Sequence, residues 1–179
     1  AFVIFTTFFA LAEKTAIDVN RAIESTITVA RNAWKSVADV ATDLDPDLPL
    51  VPCLPAELNQ VIVNVLINAV HAIDDVVDGG RAGKGTITVC TRAIEGWAEI
   101  RIEDTGTGIS SDIRDRVFDP FFTTKEVGRG TGQGLAIAHS VIVEKHGGTI
   151  TFDTEPGRGT TFVIRLPIEC DAVPRGTTQ

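Results

Sequence analysis

The chain has 179 residues, of which 44% are hydrophobic and 22% are charged, and its formal net charge is −8. This composition excludes a disordered chain and predicts one domain with a real hydrophobic core. The negative charge leaves no basic surface, so nucleic acid is not expected as a direct partner. An anionic ligand would have to be held locally by backbone N–H groups, a metal ion and one or two cations.

The chain opens with the apolar run AFVIFTTFFALA. A membrane-spanning helix needs about 20 apolar residues, and no basic segment precedes this run. We therefore expect residues 1–17 to be a linker, or the remnant of a helix that packs on a neighbouring domain, without direct membrane contact. Because the first residue is Ala and not Met, we expect the chain to be part of a longer protein.

Residues 18–36 show the periodicity of one helix, with Asp18 as its cap. The apolar residues along its stripe are Val19, Ile23, Ile27, Ala30 and Trp34. The segment VADVATDL then alternates like a strand. The segment DPDLPLVPCLP contains several prolines and predicts an end to regular structure.

The remaining elements are a long helix at 56–76, two strands around a turn at Glu95-Gly96, a helix at QGLAIAHSVIVEKHGG, and a hairpin turning at Glu155–Gly159. Strands paired by hairpins, with helices grouped between them, predict an α+β two-layer α/β sandwich. We expect a mixed, mostly antiparallel sheet packed on about three helices. The domain is predicted to span 18–168, followed by a polar tail at 169–179.

The helix at 56–76 carries an apolar face and a polar stripe. The apolar face comprises Leu58, Val61, Ile62, Val65, Leu66, Ala69 and Ile73, and the polar stripe comprises Gln60, Asn64, Asn68, His71 and Asp75. A solvated surface is one interpretation of the stripe. Asparagine is a poor helix former, however, and two asparagines one turn apart favour a ligand site. Their amide oxygens could complete the shell of a Mg²⁺ ion already held by phosphates.

Two glycine-containing segments are further candidates for ligand contacts. In EIRIEDTGTGI a strand ends at Asp104, whose carboxylate could accept a hydrogen bond from an exocyclic amine such as adenine N6. Gly106 and Gly108 bracket the following turn, although turns that bind no ligand often show the same pattern of Asp and Gly. The segment EVGRGTGQGLAIA places glycines before an apolar helix, which suits phosphate binding and a mobile lid.

The segment FDPFFTTK lies just before this second glycine segment. Phe118, Phe121 and Phe122 are expected to anchor the near end of the lid in the core. Lys125 could reach a phosphate group, with an ordinary surface charge as the alternative interpretation. In the closing hairpin, Thr160 matters to a ligand only if it lies beside Asp104.

Taken together, these segments resemble the boxes of the GHKL (HATPase_c) superfamily of gyrase B, Hsp90, histidine kinases and MutL. They follow the family order: an N box (NQVIVNVLINAVHAI), a G1 box (DTGTGI), an F box (FDPFF) and a G2 box (GRGTGQGLAIA), with GRGTTF as a further glycine box. The details of NVLINAVHA, FDPFFTTK and GTGQGL are similar to the catalytic ATP-binding domain of two-component sensor histidine kinases. The resemblance runs from about residue 18 to 168 and implies a Bergerat-type fold.

The resemblance implies ATP and Mg²⁺ as cofactors. It assigns adenine recognition to Asp104 with help from Thr160 and Gly108, metal binding to Asn68, and metal and phosphate support to Asn64. Asn64 and Lys125 are the residues expected to act in catalysis. The other residues that it places around ATP are His71, Gly106, Ile109, Gly130, Thr131, Gly132, Gly134 and Leu135. Gln133 and Glu126 depart from the family pattern within the lid.

ATP-hydrolysing members of the superfamily carry a glutamate one turn before the metal-binding asparagine, where this chain has Asn64. An amide cannot accept a proton at neutral pH, so the site is suited to holding ATP·Mg²⁺ while another nucleophile attacks the γ-phosphoryl group. The alternatives are a related kinase acting on a serine of a separate regulator, and a nucleotide-binding scaffold without catalysis.

None of the chain's histidines (His71, His139 and His146) lies in a helical hairpin of the kind that accepts phosphate in this family. We therefore expect the phosphoacceptor histidine and the dimerisation helices to lie upstream in the full protein, and a response regulator to act in the pathway. The isolated domain is expected to be a monomer and the full protein a homodimer. The domain should face cytoplasmic ATP, whether or not the full protein is anchored in a membrane.

Overall fold

The computed structural model describes residues 13–78, 83–123 and 131–169. The strands of this part are β1 (Thr15–Ile17), β2 (Ala38–Asp43), β3 (Val51–Cys53), β4 (Gly85–Ile94), β5 (Trp97–Asp104), β6 (Thr149–Glu155) and β7 (Gly159–Pro167). Its α-helices are α1 (Val19–Val29), α2 (Arg31–Trp34), α3 (Pro55–Asp78) and α4 (Gly134–Ser140). A 3-10 helix covers Ser111–Arg116, and a π-helical turn at Val141–Lys145 continues α4.

One five-stranded sheet forms the first layer, in the order β2-β4-β5-β7-β6. Strand β2 is parallel to β4, and the other three neighbouring pairs are antiparallel. The β4–β5 turn uses the positive φ angles of Glu95 (47°) and Gly96 (85°), as a tight hairpin requires. The predicted mixed, mostly antiparallel sheet and the α+β class are confirmed.

Helix α3 supplies the centre of the core. The residues of its predicted apolar face are all at most 1% exposed, and they pack against inward-facing strand residues such as Ile87, Ile100 and Ile102. By length and composition α3 could also cross a membrane. In this fold its apolar face is covered by the sheet, while its opposite face carries Asn64 and Asn68.

The prediction of a single helix at 18–36 is wrong. Asp18 does cap α1, accepting a hydrogen bond from the backbone N–H of Arg21 (3.0 Å), but the helix ends at Val29. The hydroxyls of Thr26 and Thr28 donate to carbonyl oxygens four residues earlier, each at 2.8 Å. Such bonds, together with β-branched side chains, weaken the last turn of a helix. After the break at Ala30, the short α2 begins.

The proline-rich segment is also more regular than predicted. Val51–Cys53 forms β3, which pairs antiparallel with β1 at Thr15–Ile17. Pro52 is tolerated because a two-stranded ribbon needs backbone N–H donors on only one side of each strand. Strand β1 falls within the segment expected to be a linker, so the packed part of the chain begins before residue 18.

His146 connects the start of α3 to the π-helical turn. Its side chain is 1% exposed. Its Nε2 accepts a hydrogen bond from the backbone N–H of Leu54 (2.9 Å), and its Nδ1–H donates to the carbonyl oxygen of Val141 (2.8 Å). These two bonds require the neutral ring with the proton on Nδ1. The histidine therefore joins the beginning of the helix that carries Asn64 and Asn68 to the end of the helix that follows the glycine segment.

His146→Leu is expected to lower the free energy of unfolding by about 2–3 kcal/mol, because the buried N–H of Leu54 loses its acceptor. Urea unfolding followed by tryptophan fluorescence measures this loss. His139→Leu is the matched control, since the half-buried His139 packs on Phe118 with ring centroids 5.2 Å apart. Equal stabilities for the two variants would contradict the role given to His146.

Candidate functional site

A cavity of about 300 Å³ lies between α3, the turn after β5 and the beginning of α4. Most of the predicted site residues line it: Asn64, Asn68, His71, Asp104, Gly108, Ile109, Thr131, Gly132, Gly134, Leu135 and Thr160. Gly106 adjoins the cavity without lining it. Lys125 and Gly130 lie outside the described residues, so their predicted roles stay predictions.

Asp104 ends β5, lines this cavity and is only 3% exposed. Its Oδ1 accepts hydrogen bonds from the backbone N–H groups of Gly106 (2.9 Å) and Thr160 (3.3 Å). Burial raises the pKa of this carboxyl to about 6, against the opposing effect of those two bonds. A ligand that presents an N–H donor to the remaining oxygen would relieve part of this desolvation.

The turn that follows Asp104 is held from two sides. A Cβ atom at Gly106 would overlap the backbone of Ala72 in α3, so this glycine allows the turn to approach the helix rather than a ligand. Gly108 has a φ of 70°, and a Cβ there would overlap the carbonyl oxygen of Glu155. The turn is therefore wedged between α3 and the β6–β7 hairpin.

Asn64 and Asn68 project from α3 into the cavity one helical turn apart. The Nδ2 of Asn64 donates to the carbonyl oxygen of Gly134 (3.0 Å), which ties α3 to the first residue of α4. The other polar atom of this side chain is its amide oxygen, a ligand type that Mg²⁺ accepts. Two amide oxygens one helical turn apart fit a magnesium ion that receives its other ligands from phosphates and water.

Thr131, Gly132 and Gly134 form the opposite edge of the cavity, next to α4. Gly132 has a φ of 66°, and a Cβ there would overlap the backbone of Phe121 and Phe122. Glycine is therefore required where this segment passes the F-box turn. Gln133 is exposed, and Glu126 lies outside the described residues.

The three phenylalanines divide into two groups. Phe118 packs on Phe152, with ring centroids 5.9 Å apart, and the guanidinium of Arg116 lies 4.4 Å from the ring centroid of Phe122. Phe121, by contrast, is 72% exposed and has a φ of 63°. The prediction that all three anchor the lid in the core is wrong for Phe121, because this backbone conformation directs its ring to solvent.

The remaining wall of the cavity was not predicted as a site. It includes Ile67, Ala72, Asp75, Thr107, Ile113, Val117, Phe122 and Thr123. One signal was available: Ile67 lies three residues after Asn64 and four before His71, so it shares their side of the helix. Ile113 and Val117 follow no comparable pattern. The apolar side chains of Ile67, Ile113 and Val117 make this part of the cavity suitable for a flat, largely apolar ring.

Solved histidine kinase catalytic domains share this architecture. The nucleotide-free catalytic domain of histidine kinase ThkA superposes with a TM-score of 0.73 at 25% identity, covering 87% of this chain and 96% of that one. The mycobacterial sensor histidine kinase MprB superposes with a TM-score of 0.71 at 28% identity, covering 86% of this chain and 97% of that one. The fold and the cavity thus define a protein of the histidine kinase catalytic-domain class.

The sequence comparison agrees. The chain belongs to the histidine kinase-, DNA gyrase B- and HSP90-like ATPase family, whose model matches residues 53–169. It is 35% identical over 154 residues to the sensor histidine kinase ZraS of Escherichia coli K12, and 36% identical over 180 residues to sporulation kinase E of Bacillus subtilis 168. These alignments cover 86% and 96% of this chain, but the chain spans only 31% and 23% of those two proteins.

Proposed function

We propose that this chain binds ATP·Mg²⁺ and donates the γ-phosphoryl group to a histidine on a separate helical dimerisation domain in two-component signalling. The observation that carries the proposal is a single cavity that combines a buried carboxylate, two helical asparagines and a glycine segment. Each of these features matches one part of ATP: the adenine amine, the metal-bound phosphates and the phosphate chain.

The adenine end of the proposed complex is built on Asp104. Its carboxylate accepts a hydrogen bond from the exocyclic amine, with Thr160 and Gly108 beside it. The apolar side chains of Ile109 and Ile113 lie against the ring. This arrangement favours a purine that carries an amine, because an oxygen at the same position would face the carboxylate without a proton to share.

The phosphate end is built on α3 and the segment before α4. Asn64 and Asn68 would hold a magnesium ion there, and that ion would neutralise part of the charge that develops on the phosphates during transfer. Asn64 and Asn68 would orient the phosphates through this ion, and Thr131, Gly132 and Gly134 line the same end of the cavity. Lys125 and Gly130 are proposed to complete this end.

The environment of Asn64 favours phosphoryl transfer over hydrolysis, and the positions of the chain's own histidines favour an acceptor from outside the chain. Asn64 already donates a hydrogen bond to Gly134, and its amide cannot deprotonate an attacking water. The chain's own histidines are poorly placed as acceptors, since His146 is buried, His139 packs on Phe118, and His71 lines the cavity itself. The proposed acceptor is therefore an imidazole nitrogen supplied from elsewhere, which attacks the γ-phosphorus as ADP leaves with the electron pair of the broken P–O bond.

The proposed setting follows from relatives such as ZraS, which is a sensor histidine kinase. We expect the chain to work beside a dimerisation domain in a homodimer, with its ATP site in the cytoplasm and a response regulator as the final phosphoryl acceptor.

Calorimetric titration with ATP, with and without Mg²⁺, tests the first half of the proposal. The native chain should bind ATP more tightly with Mg²⁺ than in excess EDTA. Asn68→Ala should reduce this Mg²⁺-dependent gain by about 10-fold or more, because one metal ligand is lost. Gln60→Ala, an exposed change on the same helix, is the matched control and should bind like the native chain.

A chimera tests the second half. This chain replaces the corresponding 154 aligned residues of ZraS, and transfer from γ-labelled ATP is followed. An acid-labile, base-stable phosphoryl group should form on the chimera and not on its Asn68→Ala variant. Steady ATP hydrolysis without such a product would reject the transfer proposal in favour of an ATPase, and ATP binding with neither hydrolysis nor transfer would favour a nucleotide-binding scaffold.

A further inference from the structure

Thr154 lies one layer behind the cavity, and no motif of the sequence singled it out. It occupies β6 directly opposite Thr160 of β7, and its side chain is half-buried. Its hydroxyl oxygen lies within hydrogen-bond distance of three groups. These are the backbone N–H of Ile109 (2.8 Å), the carbonyl oxygen of Gly159 (3.0 Å) and the hydroxyl of Thr160 (3.0 Å).

The three contacts connect the two segments that flank the buried carboxylate. Ile109 belongs to the turn after β5, whereas Gly159 and Thr160 begin β7. Both Ile109 and Thr160 line the cavity, and the backbone N–H of Thr160 donates to Asp104. A third segment reaches the same residue, because Nη2 of Arg114 donates to the carbonyl oxygen of Thr154 (3.1 Å).

The hydrogen-bonding capacity of a hydroxyl restricts how these contacts are arranged. Thr154 can donate only one proton, and the N–H of Ile109 occupies one of its acceptor positions. When Thr154 donates to the carbonyl of Gly159, the hydroxyl of Thr160 must donate to Thr154. When Thr154 donates to Thr160, the proton of Thr160 can turn toward the cavity. Thr154 therefore controls whether Thr160 offers a ligand a lone pair or a proton.

We propose that Thr154 is a positioning residue for purine selection: its hydroxyl holds Ile109 and Thr160 in place around Asp104 and orients the hydroxyl of Thr160. It acts through these neighbours and does not line the cavity itself. This inference rests on the proposed binding of ATP. Thr154 would be a determinant of specificity for the base that belongs neither to the glycine boxes nor to the polar stripe of α3.

The test compares Thr154→Val, which keeps the shape and removes the hydroxyl, with Thr154→Ser, which keeps the hydroxyl. Thr151→Val is the matched control, because Thr151 lies on the same strand but is exposed and faces the other side of the sheet. For each variant, calorimetry gives the affinities for ATP·Mg²⁺ and for inosine triphosphate·Mg²⁺, which carries an oxygen in place of the amine. Amide hydrogen exchange is measured at Ile109.

Thr154→Val should weaken ATP binding about 10-fold, lower the preference for ATP over inosine triphosphate by about the same factor, and speed exchange at the Ile109 amide. Thr154→Ser should recover most of the preference, and Thr151→Val should not change it.

If Thr154→Val does not fold, Thr154→Ala is measured in the same way. An unchanged preference in a folded variant without the hydroxyl would overturn the inference while ATP binding by the native chain still stood. Absence of ATP binding by the native chain would instead overturn the proposed function and the specificity role with it.

Discussion

Asp104→Asn is expected to weaken ATP binding by at least about 100-fold and, at the same time, to make the ligand-free domain more stable at neutral pH. The loss of binding follows because a carboxylate only accepts hydrogen bonds, whereas an amide has one accepting and one donating end. Asparagine can keep its carbonyl oxygen toward the N–H groups of Gly106 and Thr160, but its NH₂ group then faces the amine of adenine. Two donors meet where a donor and a charged acceptor met before.

The gain in stability follows from the pKa of Asp104. Burial raises this pKa from 3.8 to about 6, so the folded state holds the proton more tightly than the unfolded state does. The carboxyl group therefore stabilises the fold fully below pH 3.8, and this contribution is lost as the pH rises through about 6. At pH 7.5 the ionised, desolvated carboxylate leaves the native chain about 1–3 kcal/mol less stable than a variant that cannot ionise there.

Urea unfolding of both proteins between pH 4.5 and 8, combined with ATP titrations at pH 7.5, measures the two effects together. The native protein should lose stability relative to Asp104→Asn as the pH rises across this range. Asp153→Asn is the control, because Asp153 is exposed on β6 and the same chemical change should leave ATP binding unaltered. An Asp104→Asn variant that binds ATP within a few-fold of the native protein would contradict the role of this carboxylate.

The elements that the sequence predicted well are those whose local pattern and tertiary environment agree. The apolar face of α3 has a strict helical spacing, and every member of that face is buried in the fold. The turns at Glu95-Gly96 and Glu155–Gly159 stand between alternating strands, so their positions follow from residue type. The break at Ala30 was missed because it depends on Thr26 and Thr28, whose hydroxyls can either remain exposed or bond to the helix backbone.

The β1–β3 ribbon was missed for a different reason. Each strand has only a few residues, and its existence depends on pairing between Thr15–Ile17 and Val51–Cys53, which are far apart in the chain. Local propensity, with a proline in the middle of β3, argues against a strand at this position.

The candidate site shows the same division. Asn64, Asn68 and Asp104 attracted notice because each is a polar residue where an apolar or a better helix-forming residue would be usual. Ile113 and Thr154 have no such local signature. An isoleucine in a loop and a threonine in a strand are ordinary, and only the fold brings one to the cavity wall and the other behind Thr160.

Gly159→Ala is expected to lower the free energy of unfolding by about 3–5 kcal/mol, a large fraction of the stability of a domain of this size. Gly159 is buried at the start of β7 and has a φ of 129°, a conformation that L-residues with a side chain rarely adopt. A Cβ atom there would overlap the carbonyl oxygen of Asp104. Neither chain segment can move aside without disturbing the register between β5 and β7.

Gly157→Ala separates the steric effect from backbone strain. Gly157 lies in the same turn with a φ of 82°, but a Cβ atom there would meet nothing within 4 Å. Gly157→Ala should therefore cost only about 1 kcal/mol of stability and leave ATP affinity within about 3-fold of the native value.

Urea unfolding and ATP titration at low temperature, where a destabilised protein stays folded, compare the two variants. Gly159→Ala should also lose affinity, since it displaces the segment that carries Thr160 away from Asp104. Equal losses of stability in both variants would mean that positive φ, and not the close approach to Asp104, is what requires glycine in this hairpin.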